Sequence, residues 1–210
     1  MAIDELLDEH EQSERVRNWL RQNALGLIGG VAFGLLAVYG WFWWRDQGEM
    51  KRLKTAETYQ TVVEQLKTGK PEDVKPKLAG LGDSAYATLA ALDLAKVQLG
   101  AGKRDDAIKT LSAARQDDPV LGPVVKQRLA RLLLDAGKGA EALKIVETLD
   151  TPGGLETRGD ALFALGRKEQ ARDAYTKALR ELDEAAPQRK LLELKLTQAG
   201  GTPPKSATAS

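Results

Sequence analysis

The chain has 210 residues and is almost neutral, with 31 Lys and Arg against 30 Asp and Glu. That balance excludes a strongly basic nucleic-acid binder and an acidic, solvating disordered chain. With no cysteine, and with His10 as its one histidine, it lacks the raw material for disulfides, iron–sulfur clusters, thiol catalysis, histidine metal sites and Ser-His-Asp triads.

Residues 1–23 read as an acidic N-terminal tail, with six Asp and Glu against Arg15, Arg17 and Arg21. From Arg21 to Arg45 there is no charge. Residues 24–44 are expected to form a transmembrane helix, since about 20 apolar residues at 1.5 Å rise cross a hydrocarbon core of roughly 30 Å. Nine of them are Leu, Ile, Val or Phe, and together these favour insertion by about 3–5 kcal/mol. A buried core helix is seldom so long and uncharged. A cleaved signal peptide would need a small-residue cleavage site, but the run ends in Trp41, Phe42, Trp43 and Trp44, aromatics suited to a membrane interface. The expectation is an uncleaved signal anchor. Gly26, Gly30 and Gly34 recur every four residues and would present one small face to a neighbouring helix. Three basic residues precede the span and four closely follow it, so charge bias leaves the orientation tied.

Residues 45–83 read as a linking helix and connector. Met50, Leu53, Ala56, Tyr59, Val62, Val63 and Leu66 form one apolar stripe. Gly69-Lys70-Pro71 should stop that helix. A short helix is expected over Glu72 to Leu81, followed by a turn with Ser84 as N-cap.

Residues 84–199 repeat. Gly102, Gly137 and Gly166 align at offsets of 35 and 29 residues, each followed five residues later by Ala107, Ala142 or Ala171. A glycine ends one helix cheaply in the left-handed region, and the alanine lets the next approach closely. This is the pattern of a helical-hairpin solenoid, an all-α fold. The third unit's first helix is expected to be about five residues short. A last helix, Pro187 to Gln198, would cap the stack through Leu191, Leu192, Leu194 and Leu196. Residues 200–210 read as a disordered tail.

These units resemble tetratricopeptide repeats (TPR), although Ala91 and Gln98 stand where the first repeat usually has Trp and Tyr. The resemblance maps a partner groove onto the first helix of each unit: Leu92, Lys96 and Leu99; Gln127, Arg131 and Leu134; Glu156, Asp160 and Phe163. Both charge signs are present, which argues against a groove dedicated to a C-terminal carboxylate. No catalytic constellation is visible. Gly153-Gly154 lacks the Lys-Ser/Thr of a phosphate loop, and Asp105-Asp106 and Asp117-Asp118 sit where helix ends are capped. No enzyme activity, cofactor, metal or nucleic acid is expected.

The whole layout is similar to one family. ERVRNWLRQN leads into a glycine-rich span ending WFWWR. AETYQTVVEQLKTGKPEDV follows, and then SAYATLAALDLAKVQLGAGKRDDAIKTL, RLARLLLDAGKGAEALKIVETLD and RGDALFALGRKEQARDAYTKAL. This order resembles the YfgM-type ancillary subunits of the bacterial SecYEG translocon. The resemblance implies a single-pass inner-membrane protein with a cytoplasmic N-terminus and a periplasmic TPR-like domain. It implies membrane lipid, the SecYEG translocon, a PpiD-type periplasmic chaperone and nascent or unfolded envelope proteins as partners. The competing expectation is a TPR scaffold for another inner-membrane envelope complex, such as a division or pilus assembly.

Overall fold

The computed structural model describes residues 2–68 and 71–204, and side chains from Glu14 onward except Glu72. Every regular element among the described residues is helical. The chain divides into two compact units, Met1–Lys54 and Thr55–Ser210.

Helix α1, Ala2–Lys67, runs unbroken through the span and the linking segment. Gly48 does not interrupt it, since one interior glycine costs only about 1 kcal/mol relative to alanine. In the first unit, α1 carries a stretch long and apolar enough to cross a membrane, none of it buried within the chain. Leu25 is 90% exposed and Phe33 75%. A core helix would hide these side chains, so a non-aqueous surrounding is what they call for. At the end of the run Trp41 and Trp44 lie 5.9 Å apart, and the Arg45 guanidinium sits 6.0 Å from the Phe42 ring.

The second unit begins with the end of α1. Val62 and Leu66 are buried there with Val74, Leu81, Ala90 and Leu94. The Tyr59 hydroxyl donates to Asp93 at 3.0 Å, and its ring lies 5.4 Å from that of Tyr86. The Gly69-Lys70 part of the expected stop lies outside the described residues. Instead of one helix over Glu72 to Leu81 there is a 3-10 turn, Pro71–Asp73, and then α2, Lys75–Gly80. Pro76 accounts for the late start, because proline is tolerated only in a helix's first turn. The Ser84 hydroxyl accepts from the Ala87 N–H at 3.3 Å and caps α3, Ala85–Gly100.

Three hairpins follow: α3 with α4 (Arg104–Ala113), α5 (Gly122–Asp135) with α6 (Gly139–Val146), and α7 (Pro152–Ala164) with α8 (Lys168–Glu181). Gly102, Gly137 and Gly166 have φ of 74°, 75° and 75°. At each turn the residue after the glycine donates back to the carbonyl five positions earlier, at 2.8 Å, closing a Schellman turn. Ala107, Ala142 and Ala171 have no exposed surface. The 29-residue spacing does not come from a first helix five residues short, since α7 has 13 residues against 14 in α5. It comes mainly from α6, with 8 residues against 10 in α4, and from the shorter connector before α7.

Helix α9, Arg189–Gln198, begins after Pro187 and buries Leu192 and Leu196. Leu191 and Leu194 were expected in the capping face but are exposed, because they fall on the other side of the helical wheel. Gly200, 34 residues after Gly166, has φ of 86°, and Gly201 donates to Leu196 at 2.9 Å. The same turn thus closes α9, which stands where the first helix of a fourth unit would. Of the expected tail, residues 205–210 lie outside the described residues.

Candidate partner groove

Helices α3 and α5 face each other with matching stripes at the spacing that keeps side chains on one helix face. Leu92, Ala95, Lys96 and Leu99 come from α3; Arg128, Arg131, Leu132 and Asp135 come from α5. Together with Leu111 they line an open hollow of about 430 Å³. Its floor is apolar: Leu92 is buried, while Leu99 stays 43% exposed at the rim. Among the nine mapped groove residues, Leu92, Lys96, Leu99 and Arg131 meet in this hollow.

Glu156 and Asp160 are held in a neighbouring network. The Arg131 guanidinium donates to Glu156 at 3.3 Å. Lys195 of α9 donates to Glu156 at 2.6 Å and to Asp160 at 2.8 Å. The buried Tyr175 hydroxyl of α8 donates to Asp160 at 2.8 Å. Burial disfavours the Lys195 charge, but the hydrogen bonds and charges of Asp160 and Glu156 outweigh it and hold the ammonium above its ordinary range. Burial first, then the charge and hydrogen bond of Asp160, raise the Tyr175 phenol well above its ordinary value. Both groups therefore keep their protons at neutral pH.

The remaining mapped residues do not line the hollow. The Gln127 amide lies against Gly153, where an added Cβ would come within 2.5 Å of it. Leu134 packs on the core of the first two hairpins and Phe163 on that of α7 to α9. A Cβ built at Gly26, Gly30 or Gly34 meets nothing within 4 Å, so nothing within the chain requires those residues to be small. Arg128, Asp135 and Lys195 were not anticipated. The first two were legible in the three-four spacing around Arg131, and Lys195 in the fourth glycine, Gly200. No group of acidic or histidine side chains suited to a metal ion occurs among the described residues.

A model of the tetratricopeptide repeat-like domain matches residues 17–201, the apolar segment included. The chain belongs to this family. An ancillary SecYEG translocon subunit of Escherichia coli (strain K12) is 29% identical to it over 176 residues, covering 80% of this chain and 85% of that relative. The subunit of the same name from Aggregatibacter actinomycetemcomitans is 24% identical over 182 residues, covering 82% and 89%. The expected resemblance to the ancillary translocon subunits therefore holds over about four fifths of this TPR-like chain. A crystal structure of nearly identical TPR-like repeats from Podosopora anserina superposes with a TM-score of 0.50 at 15% identity, covering 71% of this chain and 85% of that one. That likeness concerns the fold alone.

Proposed function

We propose that this protein is a membrane-anchored, non-catalytic adaptor of the Sec translocon. The observation that carries the reading is the collinear match, over most of both chains, to relatives named as ancillary SecYEG translocon subunits. Residues 24–44 sit in the lipid of the bacterial inner membrane, residues 1–23 face the cytoplasm and the TPR-like unit lies in the periplasm. There the solenoid links translocation to a PpiD-type chaperone and to emerging envelope proteins. Tethering supports this role, because a shared membrane raises effective concentration and lets weak groove contacts suffice. The Gly26, Gly30 and Gly34 face packs against a transmembrane helix of the complex.

Purification of the full chain in mild detergent, with photo-crosslinking from positions 30, 34, 96 and 131, tests the reading. Recovery of translocon subunits is the expected result. Their absence, with another envelope complex recovered instead, would favour the scaffold alternative. Gly30→Ile and Gly34→Ile should lower recovery of membrane partners without changing the helical content or thermal midpoint of the solenoid. Unchanged recovery would remove the glycine face from the proposal.

A further inference from the structure

By sequence the groove carries both charge signs, but the structure separates them. Glu156 and Asp160 are both engaged inside the fold, and Lys195 from α9 touches each of them. In the hollow between α3 and α5, Lys96 and Arg128 make no ion pair among the described residues, and Asp135 is the one carboxylate lining it. An apolar floor with two free cations at its edge complements a segment that is itself apolar and acidic. Charge-assisted hydrogen bonds to Lys and Arg orient such a segment, and burial on the leucine floor holds it.

We propose that this hollow docks a partner polypeptide segment in which a large apolar side chain is flanked by Asp or Glu, and that Lys195 strengthens the preference by holding Glu156 and Asp160 in ion pairs and offsetting part of their charge. Its single positive charge offsets one of the two negative charges and ties both carboxylates to α9; it does not line the hollow itself, so it is a positioning residue. A segment flanked by Lys or Arg would meet Lys96 and Arg128 head on and be rejected. The inference deepens the adaptor reading and rests on it only for where such segments come from.

The test is fluorescence anisotropy on the full chain in detergent, with empty micelles as the blank. The probes are three short labelled peptides that alternate Leu with Glu, Leu with Lys, and Ser with Glu. The Leu–Glu peptide should bind, and the other two should bind about tenfold or more weakly, the order expected from a few exposed charges and a lost apolar anchor. Lys96→Glu with Arg128→Glu changes exposed side chains only, and should weaken the Leu–Glu peptide about tenfold while strengthening Leu–Lys. Lys195→Met should weaken Leu–Glu, and adding Glu156→Gln and Asp160→Asn should restore it. Equal affinity for the Leu–Glu and Leu–Lys peptides, or no response to the Lys96 and Arg128 reversal, would overturn the proposal. Co-purification of the same variants with the translocon reads the adaptor proposal separately. Selective peptide binding without translocon subunits overturns that reading alone, and translocon recovery without peptide selectivity overturns this one alone.

Discussion

Glycine serves two different purposes in the solenoid, and substitution separates them. Gly137 has φ of 75°, and a Cβ there would meet nothing within 4 Å. Its cost on mutation is therefore conformational: Gly137→Ala should destabilise by about 1–2 kcal/mol, and Gly137→Asn by less, since asparagine tolerates the left-handed region. Gly159 has no such backbone demand, but a Cβ there would collide with the Tyr175 ring. Gly159→Ala should cost about 1–3 kcal/mol by overpacking and loosen the Tyr175 bond to Asp160. Denaturant titration checks both through the midpoint at constant slope. A midpoint equal to the parent's for Gly159→Ala would show that the ring yields freely. The left-handed glycines were legible because a period exposes them. The clash at Gly159 was not, because it depends on which face of α8 turns toward α7, and no spacing within one helix reports that.

At the scale of elements, the hairpins and the end of α9 at Gly200 follow from the glycine periodicity, whereas the contacts of α9 do not. Lys195 lies on α9, and its partners lie 35 and 39 residues earlier on α7, so only packing brings them together. This network has a pH signature. The folded-state pKa of Lys195 and that of Tyr175 are both raised from ordinary values of 10.5 and 10.0. The folded protein therefore keeps these protons when the unfolded chain has begun to lose them. The contribution is complete below the unfolded values and fades as pH rises through the folded ones. The thermal midpoint should stay level from neutrality to about pH 9 and decline beyond about pH 10. The decline should be shallower in Tyr175→Phe with Lys195→Met. An identical alkaline slope in that double variant would show that the network does not couple α9 to stability. At the acid end the sign reverses for Asp150, whose carboxyl is lowered by hydrogen bonds from Lys177 and Arg158. Its contribution is present above the usual carboxylate range and lost as pH falls below it.

At the scale of the molecule, the decisive feature is the division of charge: a tail of net −3, an uncharged stretch and a remainder of net +4. The stretch is long and apolar enough to cross a membrane, but the flanks are too evenly matched to dictate a direction. A long domain after the span translocates largely regardless of flanking charge, which is why bias in these few residues carries so little information. Orientation is therefore a question for labelling, and the absence of cysteine makes the labelling unambiguous. Thr202→Cys, on an exposed position beyond α9, should react with a membrane-impermeant maleimide in cells whose outer membrane alone is opened. Ser13→Cys should react only after the inner membrane is breached. The reverse pattern would put the solenoid in the cytoplasm, away from emerging chains. It would leave the anchor and the fold standing, and remove the periplasmic chaperone from the proposed function.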